Sequence, residues 1–121
     1  MPLKITVRQS SGVSIIDLEG RLVIGPDADA LKQRLDELAR QGSRHILVNL
    51  AKVTQLDSSG ICSLLHGYTM MKQHGGSFKM LHPAGHAREV LEVMRLIEII
   101  PTLDDEKQAV ASFSGANPAQ S

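Results

Sequence analysis

Aromatic residues are nearly absent from this 121-residue chain, which contains one Tyr, two Phe and no Trp. Proteins that bind single-stranded nucleic acid stack its bases on aromatic side chains, so this composition argues against that mode of binding. An excess of one charge is missing too, because 13 basic residues balance 13 acidic residues. Without a basic field, we predict no binding to nucleic acid or to an anionic membrane surface. A neutral surface suits docking on a protein and permits a homodimer.

Cysteine is also scarce, since Cys62 is the only one and therefore cannot form an internal disulfide. This indicates a reducing compartment. Residues 1–4 lack the apolar stretch of a secretory signal, and no apolar run approaches the roughly 20 residues of a transmembrane helix. We therefore expect a cytoplasmic protein without a membrane span.

The hydrophobic pattern switches between the periods of strands and helices. Residues 3–8 alternate apolar and polar side chains, and a Ser-Ser-Gly turn separates them from a second strand at 13–18, which predicts a β-hairpin. Further strands are predicted at 45–50, 78–81 and 97–100. Amphipathic helices are predicted between and after them, at residues 27–41 (with Asp27 as the cap), 61–74, 83–94 and 104–113.

This order of elements, β-β-α-β-α-β-α-β-α, predicts an α/β domain with a mixed sheet of four to five strands and packed helices. Alternating strands and helices imply parallel pairing, to which the hairpin adds an antiparallel pair. Periodicity leaves open whether the helices cover one face of the sheet or both. We expect one domain over residues 1–113 and a disordered C-terminal tail over residues 114–121.

Residues that can cap a helix cluster at Asp57, Ser58 and Ser59, where a predicted strand leads into a predicted helix. One interpretation is structural: Asp57 or Ser58 caps the helix, and Gly60 permits close backbone packing. The other is functional, because a serine at a helix N-terminus is exposed and the helix dipole favours an anion there. A phosphate on Ser58 would then obstruct a docked partner. The residues alone leave both interpretations open.

The sequence LDSSGI at residues 56–61, after the apolar run 46–50, resembles the signature of STAS-domain anti-sigma-factor antagonists. The resemblance extends from about Ile5 to Phe113 and includes Gly20 after the second strand and the Gly75-Gly76 break. It implies the STAS fold and a regulatory, non-enzymatic function without a cofactor.

In that family, the first serine of the motif is phosphorylated by a partner anti-sigma factor that is also a GHKL-type serine kinase. A PP2C-type phosphatase removes the phosphate. The resemblance thus implies that Ser58 is the phosphoacceptor, and that the unphosphorylated chain binds the anti-sigma factor and frees a sigma factor for transcription. It further implies that Asp57 orients the site and Gly60 lets the partner approach. The predicted partner-binding residues are Leu22, Ile24, Asp57, Ser58, Ser59, Gly60, Ile61 and Cys62.

One segment departs from the family pattern. Many members carry an acidic residue a few positions after the glycine that ends the second strand, whereas residues 21–26 here read RLVIGP. This leaves room for another role, as a STAS subunit of a stress-signalling assembly or of a lipid-transport complex. A nucleotide-binding protein or weak nucleotide hydrolase is a third class.

Two further kinds of site are disfavoured by the sequence. His82 and His86 are four residues apart, but Pro83 and Gly85 lie between them and no cysteine nearby completes a zinc site. Ser58 lacks the Gly-x-Ser-x-Gly motif of serine hydrolases. We therefore predict no metal site and no catalytic residues.

Overall fold

The structure, a computed structural model, describes residues 2–114, which contain five strands and five helices. The strands are β1 (Lys4–Ser10), β2 (Val13–Leu22), β3 (His45–Leu56), β4 (Ser77–Leu81) and β5 (Thr102–Leu103). The helices are α1 (Pro26–Arg40), α2 (Ser58–Gln73), α3 (Gly85–Val93), α4 (Leu96–Ile99) and α5 (Glu106–Ser114). The predicted tail lies, from residue 115 onward, outside the described residues.

The predicted hairpin is present and is closed by a two-residue turn. Ser11 and Gly12 both have positive φ angles, of 50° and 81°. Positive φ at both central positions gives a turn whose twist matches that of the flanking strands, and glycine adopts it without strain. Ser10 therefore lies opposite Val13, and β1 and β2 pair in antiparallel orientation from there.

The sheet has the order β1-β2-β3-β4-β5, and every pair beyond the hairpin is parallel. The predicted α/β fold with a mixed sheet is thereby confirmed. The central strand β3 is longer than predicted, because β2 continues past Gly20 through register shifts and pairs Leu22 with Leu56. The polar residues within 51–55 hid this extension from an analysis of apolar runs.

Helices cover both faces of the sheet, but unequally. The larger apolar core lies on one face, where Ile16 and Val48 of the sheet pack with residues of α1, α2, α3 and α4. On the opposite face, α5 contributes Ala109, Val110 and Phe113 to a smaller cluster. That cluster also contains Val13, Ile15, Leu47 and Leu81, which alternate along their strands with the residues of the larger core. The central strands are therefore apolar on both sides.

Two sequence predictions were wrong in this part of the chain. Residues 97–100 are largely helical: α4 buries Leu96 and leads into the buried Ile100, four residues later, which is helical spacing. The fifth strand follows them, at residues 102 and 103. Asp27 does not cap α1, because Gly25 occupies the cap position and the Asp27 carboxylate accepts a hydrogen bond from the Leu3 backbone at 3.1 Å.

No helix within residues 2–114 has the length and apolar character needed to cross a membrane.

Candidate functional site

The site is built where β2 and β3 end side by side. These strands are parallel and their last paired residues are Leu22 and Leu56, so the chain leaves the sheet at the same edge in both cases. It enters α1 after Gly25 and α2 after Asp57. The N-terminal turns of the two helices are thereby neighbours, although they are far apart in sequence.

Asp57 connects these two helix starts. One oxygen of its carboxylate, Oδ1, accepts a hydrogen bond from the Gly60 backbone N–H at 3.0 Å, which caps α2. The other, Oδ2, accepts from the Ile24 backbone N–H at 2.9 Å, in the loop before α1. Of the two caps that the sequence left open, Asp57 or Ser58, the structure shows Asp57. The contact with Ile24 gives Asp57 the additional task of holding the β2–α1 loop beside α2.

The Asp57 carboxylate is held in its anionic form. Its partial burial opposes ionisation, but the N–H groups of Gly60 and Ile24 that donate to it outweigh this effect, so the pKa of Asp57 lies below its usual value. A negative charge is therefore present next to Ser58 at neutral pH.

Gly60 is required by packing within the domain. A Cβ atom at this position would collide with the backbone carbonyl oxygen of Leu22 and would lie 2.7 Å from Cδ1 of Leu56. The absence of a side chain thus allows the first turn of α2 to lie directly against the end of β2. This close contact is with the chain's own backbone.

The hydroxyl of Ser63 adds a second connection between the helices. It is fully buried and donates to the backbone carbonyl oxygens of Ala28, in α1, at 3.0 Å and of Ser59 at 3.1 Å. With the Asp57 contacts, this fixes the separation of the two helix starts. Hydrogen bonds therefore connect the two helix starts at both Ile24 and Ala28.

That surface is a shallow groove of about 340 Å³, and Ser58 lies at its edge as the first residue of α2. Ser58 is exposed, as are Cys62 one turn later and Ile24, whose exposed fraction is 75%. We call this surface the α1–α2 groove. It is lined by Ile24, Gly25, Ala28, Asp29, Lys32, Ser58, Ser59 and Cys62.

The eight predicted partner-binding residues fall into two groups. Ile24, Ser58 and Cys62 are exposed, and Asp57 and Ser59 are partly exposed. The other three lie beneath the surface: Leu22, Gly60 and Ile61 are buried. In this conformation those three shape the groove from within, and direct contact between them and a partner stays a prediction.

Sequence reasoning missed the contribution of α1 to this surface. Asp29 and Lys32 line the groove from the first turns of α1, about 25 to 30 positions before Ser58. In the sequence they belong to the polar side of an amphipathic helix and carry no further signal. Only the parallel pairing of β2 and β3 brings them beside Ser58.

Groups that could bind a metal or activate the serine are not gathered here. Within residues 2–114, no group of three or more His, Cys, Asp or Glu residues is placed to hold a metal ion. His82 has a positive φ of 54° and precedes α3, whereas His86 lies within that helix, and both are exposed. The side chains that line the α1–α2 groove include no histidine. The residues that line the groove thus carry two hydroxyls, one thiol, one carboxylate and one ammonium group, beside apolar side chains.

A comparison with known families now identifies the domain. The family described as "Mlab, STAS domain" matches residues 5–101. The chain belongs to the STAS domain family. The family predicted from the LDSSGI segment is therefore confirmed. Among relatives of known name, the anti-sigma F factor antagonist of Paenibacillus polymyxa is 29% identical over 114 residues, which cover 93% of this chain and 97% of that protein.

Solved structures show the same fold. An anti-sigma factor antagonist from Mycobacterium paratuberculosis superimposes with a TM-score of 0.83 at 19% identity and covers 93% of this chain and 95% of its own. The anti-sigma factor antagonist SpoIIAA in its unphosphorylated form gives a TM-score of 0.72 at 18% identity, over 93% of this chain and 99% of its own. The Bacillus SpoIIAA in the phosphorylated form gives 0.69 at 19% identity, over 89% and 97%.

Proposed function

We propose that this STAS domain is an anti-sigma-factor antagonist whose binding to a kinase-type anti-sigma factor is controlled by phosphorylation of Ser58. The observation that carries the proposal is the exposed Ser58 hydroxyl at the start of α2, next to the exposed apolar side chain of Ile24. Support also comes from the Paenibacillus polymyxa relative, whose name is anti-sigma F factor antagonist. In this proposal the chain is a binding module and a kinase substrate, and is not itself an enzyme.

In the unphosphorylated state the partner covers the α1–α2 groove. Ile24 is 75% exposed in the free chain, and burial of such a side chain contributes roughly 1.5–3 kcal/mol to association. The Ser58 hydroxyl is small and uncharged, so it can be covered at little cost. Because Asp57 and Ser63 already hold the groove in place, its backbone needs no rearrangement before binding.

Phosphorylation changes the partner surface more than it changes the fold. A phosphate adds about −1.5 to −2 charges at Ser58, where the N-terminus of α2 tolerates an anion. Asp57 precedes Ser58 in the chain and is held as a carboxylate, and Asp29 lines the same groove, so the phosphate would add to negative charge already present there. A partner docked on the groove would have to remove water from this anion, and we expect it to dissociate instead.

A kinase and a phosphatase complete the cycle in this proposal. A GHKL-type anti-sigma factor transfers phosphate to Ser58, and a PP2C-type phosphatase removes it, so that the chain regulates how much sigma factor is free for transcription. The chain would act in the cytoplasm, where transcription takes place.

The decisive experiment compares Ser58→Ala and Ser58→Asp, with Thr69→Asp as the matched control, which adds the same charge at an exposed position of α2 that does not line the groove. Each variant is used to capture partners from lysate of the source organism, and the affinity for the anti-sigma factor so identified is then measured by calorimetry. We expect Ser58→Ala and Thr69→Asp to bind like the unphosphorylated wild type, and Ser58→Asp to bind at least about tenfold more weakly, a difference of about 1.4 kcal/mol in binding free energy. Equal affinities of Ser58→Ala and Ser58→Asp would contradict the proposal.

The alternative role, in a stress-signalling assembly or a lipid-transport complex, is separated by the same capture. It is favoured by residues 21–26, which lack the carboxylate that many antagonists carry. In that case Ser58→Ala and Ser58→Asp would retain the same proteins, and these would include no kinase-type anti-sigma factor.

A further inference from the structure

Lys32 has an unusual position among the charged residues of the α1–α2 groove. It is the basic side chain that lines the groove, which it shares with Ser58 on the facing helix and with Asp29 on its own helix. It is partly buried, so its stem lies along the groove wall. Within residues 2–114 it takes part in no ion pair, although Asp29 is three residues earlier.

The other charges near Ser58 cannot balance a phosphate. Both oxygens of Asp57 accept hydrogen bonds from backbone N–H groups, of Gly60 and of Ile24, and this carboxylate stays negative. Asp29 is negative as well. A phosphate on Ser58 would therefore follow the Asp57 carboxylate in the chain and share the groove with Asp29, and the ammonium group of Lys32 is the positive charge on that groove.

Hydrogen bonds hold the two helices that form the groove, whereas the side chain of Lys32 is flexible. The Ser63 hydroxyl bonds to the carbonyl oxygen of Ala28 and Asp57 bonds to the Ile24 amide, so α1 and α2 keep their separation. Lysine has a flexible four-carbon stem and three rotatable donors. It can therefore follow a new anion at the groove edge without any movement of the backbone.

We infer that Lys32 is the charge partner of phosphorylated Ser58, and that this pair closes the α1–α2 groove against the anti-sigma factor. The inference rests on the proposed function, because it assumes that Ser58 carries a phosphate. It assigns to Lys32 the electrostatic stabilisation of the phosphorylated state. In the unphosphorylated state Lys32 leaves the groove open, and in the phosphorylated state its side chain lies across the apolar patch next to Ile24.

The test supplies the phosphate directly and needs no partner. Phosphoserine is incorporated at position 58 of the full chain during translation, and the phosphate is titrated by ³¹P NMR in the wild type, in Lys32→Gln and in Lys52→Gln. Lys52 is the matched control, because it is an exposed lysine in a different depression, beside Lys4 and Asn49. Each variant removes the same single charge.

We expect Lys32→Gln to raise the second ionisation midpoint of the phosphate, ordinarily near pH 6, by about 0.2–0.7 pH units, the range that corresponds to exposed ion pairs. The difference should shrink when the salt concentration is raised. Lys52→Gln should leave the midpoint at its wild-type position. Equal midpoints for Lys32→Gln and Lys52→Gln would overturn the inference.

The titration and the binding experiment can fail separately. If the Ser58 variants bind a partner equally, the proposed switch fails, whereas the titration of the isolated phosphorylated chain is unaffected. If the switch operates but the two lysine variants titrate alike, only the role of Lys32 is refuted. Amide spectra of the three proteins serve to show that each substitution leaves the fold unchanged.

Discussion

Replacing Gly60 by alanine would add one methyl group at the place where α2 touches the end of β2. The new Cβ would collide with the backbone carbonyl oxygen of Leu22 and lie 2.7 Å from Cδ1 of Leu56. A side chain can rotate away from such a contact, but a carbonyl oxygen at the end of a paired strand cannot. Relief therefore requires α2 to move away from the sheet.

The expected cost follows from two opposing effects. Overpacking of a well-packed position costs typically 1–3 kcal/mol, and a backbone neighbour favours the upper part of this range. Alanine within a helix is favoured over glycine by about 1 kcal/mol, which offsets part of the loss. We therefore expect Gly60→Ala to lower the free energy of unfolding by about 2 kcal/mol, and the melting temperature by roughly 6–12 °C.

Urea unfolding followed by circular dichroism measures this difference. Thr69→Ala is the control, because Thr69 is exposed in the same helix and its replacement changes helix propensity without a new contact. We expect Thr69→Ala to be slightly more stable than the wild type. A Gly60→Ala protein as stable as Thr69→Ala would refute the close approach of α2 to the Leu22 carbonyl.

Two further predictions concern the charged residues. Asp57→Asn should lower the free energy of unfolding by about 1–2 kcal/mol at pH 7, since an amide side chain has only one acceptor oxygen for the two N–H donors. Because the pKa of Asp57 is lowered by folding, the advantage of the wild type is complete above about pH 4 and is lost as the pH falls through the lowered pKa. A stability difference that stays constant from pH 7 to pH 2 would contradict this account. Arg8 binds Asp17 and Glu106, each at 2.6 Å, and so ties the start of α5 to the sheet. Arg8→Met should lower the free energy of unfolding by about 1 kcal/mol and speed amide hydrogen exchange in α5 about fivefold. The control is Arg95→Met, which removes an exposed ion pair within one helical turn and should leave exchange in α5 unchanged. Equal exchange rates in the two variants would argue against the connection of α5 to the sheet through Arg8.

The parts of the fold that were predicted are those whose signals are local. The Ser-Ser-Gly turn indicated the hairpin because glycine adopts the positive φ of a tight turn without strain, which is a local property of that residue. The strand predicted at 97–100 was wrong because a short apolar run is compatible with either period. Its helical spacing, with Leu96 and Ile100 both buried, becomes visible only when the core that covers them is known.

The candidate site likewise has features that could be predicted from local sequence and features that could not. Asp57 and Ser58 adjoin each other in the sequence, and the capping role of Asp57 could be predicted because a cap acts within three residues. The Asp57 contact with the Ile24 amide, and the position of Lys32 on the same groove as Ser58, could not. Both depend on β2 and β3 ending at one edge of the sheet, which is a pairing between distant segments.

The sequence by itself determined the order of the elements apart from α4 and β5, the mixed character of the sheet and the position of Ser58 at a helix start. These follow from periodicity, turn residues and caps, all of which act over a few residues. The tertiary structure decided how the helices are shared between the two faces: of the helices within residues 2–114, it is α5 that packs on Val13, Ile15, Leu47 and Leu81. The sequence of an amphipathic helix reveals its apolar side but not the face of the sheet on which that side packs. Both faces of a central strand are apolar, so only the path of the connecting chain decides between them.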